Sequence, residues 1–166
     1  MSTNDKKRFT LERTFENTTV EDVWALWTTK DGIESWWGPE GFTVTVNSID
    51  LRPKGVLFYT MTATAAPQVE FMKKAGMPLA TDTRITYTEV VPQRRLSYDN
   101  LADFIPGVAA YDVGTTVEIE AKGGAIHMRV IIDAMHDQVW TDRMVMGWES
   151  QLGKLARLLT GTAAPR

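Results

Sequence analysis

An α+β fold is predicted for this chain: one strand, two short helices, six further strands in an antiparallel meander, and a long closing helix. Three patterns predict it. Between Gly41 and Asp133 the chain is rich in β-branched and aromatic residues, cut by turn material such as Arg52-Pro53-Lys54-Gly55 and Gly123-Gly124. Between Asp137 and Thr160, the residues Trp140, Met144, Trp148, Leu152, Leu155 and Leu159 recur at spacings of three and four, which places them along one helical face. Near the start, Val20, Val23, Trp24 and Trp27 recur at i, i+3, i+4 and i+7 behind two threonines able to cap a helix.

Each element follows from local chemistry. Residues 8–15 (RFTLERTF) alternate apolar and polar side chains around Phe9 and Leu11, as a strand with one buried face does. Thr18 or Thr19 caps the first helix, with Glu21 three residues after Thr18 in a capping-box spacing. A second short helix carries Ile33, Trp36 and Trp37 until Gly38 and Pro39 stop it. The strands follow as GFTVTVNSIDL, GVLFYTMTAT, RITYTEVV, RRLSYDNL, GTTVEIEA and AIHMRVIID. Two connections depart from short turns. Pro67 to Met77 reads as a helix, with Glu70 and Lys74 at i,i+4 and Gly76 placed to end it. Asn100 to Gly114 reads as a long loop holding the apolar residues Leu101, Phe104, Ile105, Val108 and Tyr111. Gly147 and Gly153 lie inside the last helix, where each costs about 1 kcal/mol relative to Ala. Close approach to the sheet, room for a bound molecule, or neutral drift would each account for them.

Composition narrows the chemistry. The 166 residues suit one domain, expected over 1–166, and 43% are hydrophobic. There is no cysteine, which removes thiolate metal sites, iron–sulfur clusters, thiol nucleophiles and disulfides. His127 and His136 are the only two histidines, too few for a three-histidine metal site, and no metal or cofactor is expected. With 18 basic and 21 acidic residues the net charge is −3, so nothing draws the chain to a phosphate backbone and nucleic acid is not an expected partner. No apolar stretch approaches the ~20 residues of a membrane span, and the first ten residues lack a signal-peptide core. A cytoplasmic protein is expected.

Specific motifs then carry a resemblance. Thr19-Val20-Glu21-Asp22-Val23-Trp24 with Trp36-Trp37-Gly38-Pro39-Glu40-Gly41-Phe42 resembles the "ExVW … WWGPxGF" signature of the SRPBCC (START-like) superfamily, within it the homologues of the activator of heat-shock protein 90 ATPase. Glu89 to Leu96 resembles that family's "EIVPPERL" turn, and Gly147 to Leu152 with Leu155 its "GWxxxLxxL" helix. The resemblance implies a helix-grip fold: a strongly curved sheet of about seven strands wrapped around the C-terminal helix, with a hydrophobic cavity between them. Relatives bind lipids, sterols, polyketides or plant hormones, and a minority catalyse cyclisation, dehydration or hydrolysis in that cavity. The eukaryotic chaperone activator carries a separate N-terminal domain that does much of the chaperone engagement.

Strand parity sorts the candidate residues. Ile126, Met128, Val130 and Ile132 share one face while His127 and Arg129 share the other, so His127 points away from any cavity under the helix. Asp137 is a cap for the last helix rather than half of a metal site with His136. Glu118 and Glu120 form a solvated face; Asp99 and Asp103 flank the apolar loop as turn formers or, less simply, as acid–base groups. No Gly-rich phosphate loop or nucleophile elbow is present, so no catalytic residue is assigned. The expected ligand lining is Trp37, Leu57, Tyr59, Met61, Tyr98, Val117, Ile119 and Met128, faced by Met144, Trp148 and Leu152 on the helix. Each of these equally suits a filled core. Parity is ambiguous where Val56 and Phe58 oppose Leu57 and Tyr59, and where Ile85 and Tyr87 oppose Val90. That second apolar face, with Phe71, Met72, Phe104 and Ile105, suits a lid or a homodimer contact. The expected partner is a small hydrophobic or aromatic molecule; the alternatives are a cavity enzyme of cyclase or hydratase type and a chaperone-regulating interaction module.

Overall fold

The computed structural model describes residues 7–102, 105 and 107–160. Strand β1 (Arg8–Phe15) is followed by helices α1 (Val20–Thr28) and α2 (Lys30–Trp36), then β2 (Phe42–Ile49), β3 (Val56–Ala63), α3 (Ala66–Lys74), β4 (Ala80–Val91), β5 (Arg95–Ala102), β6 (Tyr111–Lys122), β7 (Ala125–Asp133) and α4 (Gln138–Thr160). The strands form one seven-stranded sheet in the order β1-β7-β6-β5-β4-β3-β2, antiparallel throughout. The meander is therefore β2 to β7 in sequence order, closed at its far end by β1. This is the expected helix-grip arrangement, with the core between the concave face of the sheet and α1, α2 and α4.

Two bulges interrupt the ladders, and the one in β4 resolves the ambiguity around Val90. The β2–β3 register shifts between Val46 and Ser48, and the β4–β5 register shifts between Tyr87 and Glu89. Each extra residue flips the side chains that follow, so Val46 and Ile49 serve one face, as do Ile85, Tyr87 and Val90. Val90 thus joins the core instead of opposing it. A bulge also bends its strand, and two bulges near one end of a sheet curl that end around a helix.

Other local expectations are adjusted. The cap of α1 is Thr19, whose Oγ1 accepts from Asp22 N at 3.0 Å; Thr18 and Glu21 form no capping box, because Asp22 occupies the third helical position. Thr29 closes α1 through its N–H to Ala25 O and opens α2 by accepting from Gly32 N at 3.0 Å, which makes the sharp turn between the two helices. The anticipated loop from Asn100 to Gly114 is shorter than expected, because both its ends are strand: Asn100 pairs with Val113, Leu101 with Asp112 and Ala102 with Tyr111. Its Asn, Asp and Gly content favours turns locally, and pairing with neighbouring strands overrides that preference. Helix α3 forms as expected and ends at Gly76, with φ +70°. Met72 and Ile105 are buried whereas Phe71 is exposed; Asp103 and Phe104 lie outside the described residues.

The six tryptophans hold the helices to the sheet. Trp27 and Trp36 are fully buried with ring centroids 4.7 Å apart in an edge-to-face arrangement. Their indole N–H groups donate to Met128 Sδ at 3.4 Å and to Leu26 O at 2.8 Å. Trp148 on α4 stacks on Trp27 at 6.1 Å, which couples the closing helix to the first.

Candidate binding cavity

The segment between α2 and β2 builds one wall of the site. Gly38 and Gly41 take φ values of +87° and +89°, which turn Trp37-Gly38-Pro39-Glu40-Gly41-Phe42 back toward α4. Four residues on successive turns of α4 then fasten it. Ser150 Oγ accepts from Glu40 N at 2.8 Å, Gln151 Oε1 accepts from Gly38 N at 3.0 Å, and Arg157 pairs with Glu40. Lys154 Nζ donates to Gly38 O at 3.0 Å and reaches Phe42 O at 3.4 Å and Trp37 O at 3.5 Å. Desolvation holds the Lys154 ammonium below its ordinary pKa.

Beside this wall, between the first half of α4 and the sheet, lie two adjoining clefts open to solvent on one side, which share lining residues and make up two lobes of one cavity. The outer lobe, about 250 Å³, lies between β5, β6 and β7 and the start of α4, with Asn100, Ala102, Val113, Thr115 and Ile132 on the sheet side. Trp140, Arg143, Met144 and Trp148 face them from the helix. The inner lobe, about 170 Å³, lies under the Trp37–Pro39 turn against Tyr59, Ile85 and Tyr98, with Gly147 and Gln151 on the helix side. Asn100, Met144 and Trp148 belong to both lobes. Met144 is thus a flexible partition, a part that an unbranched thioether side chain fills well.

The polar groups here are mostly tied. Tyr98 hydrogen-bonds to the Thr115 side chain and Tyr59 to that of Thr83. Burial pushes the Tyr59 phenol up to about 12 and raises Tyr98 and Tyr87 well above the ordinary tyrosine value, so all three stay protonated at neutral pH. Two buried polar atoms have no hydrogen-bond partner among the described residues, Trp37 Nε1 and Tyr87 OH. Trp37 lines the inner lobe, with its ring 5.4 Å from Tyr59 and 6.1 Å from Tyr98.

Of the residues expected to line a cavity, Trp37, Tyr59, Tyr98, Met144 and Trp148 do so. Leu57, Val117, Ile119, Met128 and Leu152 are buried in the packed core below it, while Met61 is half-buried beside Gly38. Sequence reasoning missed Asn100, Thr115, Arg143 and Gln151. Asn100 keeps step with Leu96 and Tyr98, and Thr115 with Val117 and Ile119, so parity places both on the inward face of strands already drawn, and it was their polarity that kept them from the expected lining. Arg143 and Gln151 each adjoin a residue of the α4 stripe.

The remaining candidates lie elsewhere. His127 points to the outer face, where Nε2 is 3.2 Å from Glu12 Oε1 and Nδ1 is 3.2 Å from Thr14 Oγ1. His136 Nδ1 lies 2.8 Å from Tyr111 Oη, and Asp137 caps α4 by accepting from Trp140 N at 2.9 Å. Glu118 pairs with Arg95 on the outer face. Asp99 follows Tyr98 on β5 and borders an outer groove with Gly114 and Asp133. Among the described residues no cluster of three or more His, Asp or Glu side chains could hold a metal ion, and no helix is long and apolar enough to cross a membrane.

The family model described as Activator of Hsp90 ATPase homolog 1-like protein matches residues 17–160. The chain belongs to this family. The fold is shared with solved structures of other members of the activator-homologue family and related chains. A protein of Chromobacterium violaceum is 21% identical with a TM-score of 0.72, over 92% of this chain and 97% of that one. The activator-homologue protein of Silicibacter pomeroyi is 21% identical with a TM-score of 0.69, over 93% and 98% of the two chains. The activator-homologue-like protein of Aeromonas hydrophila is 20% identical with a TM-score of 0.69, over 96% and 98%. At these identities the likeness concerns the fold. No curated protein matches the sequence. The family match spans both the Trp36–Phe42 turn and the α4 residues that fasten it.

Proposed function

We propose that this activator-homologue family member binds a small hydrophobic or aromatic molecule in the cavity between the sheet and α4. The observation that carries the reading is the cavity's lining. Trp37, Tyr59, Tyr98, Met144 and Trp148 surround it with apolar and aromatic surface, and few polar groups interrupt them. Small-molecule sites are built this way, with a few placed polar groups to orient the ligand. Each lobe is smaller than the roughly 300 Å³ at which drug-sized pockets begin, so the fitting ligand has one or two rings or a short chain. The site rests on strands and helices, which hold such a lining in place. A cytoplasmic location goes with this proposal.

Native mass spectrometry of the purified protein tests the reading, together with calorimetric titration of cinnamyl alcohol as a neutral aromatic probe. A retained small molecule or saturable one-to-one probe binding that Trp148→Ala weakens supports it. Neither signal at millimolar probe would overturn it.

A chaperone-regulating module is the second reading, favoured by the family's description. A pull-down with the chaperone tests it, and no complex at micromolar concentration would count against it. The cavity-enzyme reading has less support. The three tyrosines are held protonated, and the lining residues described include no carboxylate or histidine that would transfer a proton near neutral pH.

A further inference from the structure

The charge inventory of the cavity is one-sided. Among the described residues, Arg143, at the outer lobe, is the one formally charged side chain lining either lobe, and no described carboxylate forms an ion pair with it. Its guanidinium carbon sits 5.0 Å from the Trp140 ring centroid. A cation–π contact of this kind uses none of the guanidinium's N–H groups as hydrogen-bond donors, and a guanidinium fork meets a planar carboxylate through two hydrogen bonds. Trp37 lines the inner lobe, and its indole N–H is buried with no partner among the described residues. Lys154, the nearest other cation on α4, is engaged with the carbonyl groups of the Trp37–Phe42 turn. Among the described lining residues a ligand meets apolar walls and donors, and no anionic acceptor.

We propose that the cavity selects a small aromatic acid, its carboxylate held at the mouth by Arg143 and its ring system inserted past Met144 and Trp148 toward Trp37. This deepens the binding reading above and rests on it. A neutral ligand of the same shape loses the charge-assisted hydrogen bonds, and an amine meets a like charge at the mouth.

Calorimetric titration of the purified protein with cinnamate, cinnamyl alcohol and cinnamylamine distinguishes the possibilities. Cinnamate is expected to bind about tenfold more tightly than the alcohol, and the amine more weakly than either. Arg143→Met is expected to erase the acid-over-alcohol preference, read as the ratio of the two affinities, and Arg143→Lys to restore part of it. Arg143 is exposed, so its replacement leaves the core intact. Equal binding of acid and alcohol to the wild type, or an acid preference that survives Arg143→Met, would overturn the anion proposal while leaving the cavity reading standing. Absence of binding by all three probes, with no small molecule retained in native mass spectrometry, would overturn both.

Discussion

Lys154 Nζ donates to Gly38 O at 3.0 Å, and through that contact the closing helix holds the turn that walls the inner lobe. Gly38 N also donates to Gln151 Oε1, so both backbone polar groups of one glycine are satisfied from α4. The turn and the helix form one mechanical unit. Hydrogen bonds to a charged group contribute about 1.5–3 kcal/mol each when removal leaves acceptors unsatisfied. Lys154→Met is expected to destabilise the protein by about 2 kcal/mol, the lost bonds being partly offset by relief of the ammonium's desolvation. A urea melt measures this, and a variant as stable as wild type would show that the turn holds itself.

The two tryptophans stacked across α1 and α4 should respond differently. Trp27 is fully buried, whereas Trp148 is half-buried and faces both lobes. Trp27→Ala is expected to cost about 3–5 kcal/mol, a core truncation. Trp148→Ala should cost less and reduce cinnamyl alcohol affinity by about tenfold or more. Parallel denaturation and calorimetry check the pair.

The helix glycines separate in the same way. A Cβ at Gly147 would meet nothing within 4 Å, and one at Gly153 would meet only Arg157 Nη1 at 3.7 Å, so close packing on the sheet explains neither. Either substitution by Ala is expected to raise stability by up to about 1 kcal/mol. Gly147 lines the inner lobe, so Gly147→Ala should weaken probe binding and Gly153→Ala should not. Equal probe affinity in both variants would assign Gly147 to drift.

The positive-φ pair in the turn gives a graded prediction. Substitution by Ala strains the backbone at either position, by about 1–3 kcal/mol. At Gly41 the new methyl also meets Gln68, with Cδ at 2.3 Å, whereas at Gly38 the nearest atom is Val44 Cγ2 at 3.4 Å. Gly41→Ala is therefore expected to lower stability more than Gly38→Ala, and adding Gln68→Ala should recover the difference. Thermal melts of the three variants decide it.

Alkaline pH should unfold the protein through its tyrosines. Tyr59 has its folded pKa raised from 10.0 to about 12, with Tyr98 and Tyr87 raised as well. A raised folded value means the contribution is intact below pH 10 and is lost as pH climbs through the folded pKa, because only the unfolded chain releases the proton easily. For Tyr59 the two-unit gap corresponds to about 2–3 kcal/mol by pH 12. Tyr59→Phe should flatten that loss, read from urea midpoints at neutral pH and near the alkaline limit. Lys154 acts in the opposite sense just below its ordinary 10.5, since its lowered folded pKa makes the charged form the penalised one.

The strand and helix periodicities, the Asp137 cap, the outward face of His127 and the family motifs were all legible in the sequence, because each is written in neighbours a few residues apart. Periodicity also located the buried face of α4. It could not say which members of that face meet a neighbour and which meet a void. Leu152 is wholly buried, and Trp148, four residues earlier on the same stripe, borders both lobes. That difference depends on how far α4 stands from the sheet along its length, a distance set by side-chain volumes from β5, β6, β7 and the Trp37 turn together. The bulges of β2 and β4 are of the same kind: a single extra residue reverses which side of the strand is inside, and only pairing with the next strand reveals where it falls. Sequence by itself determined the scaffold and its family. Tertiary packing decided where the scaffold leaves room, and placed Arg143, Asn100 and Trp37 around it.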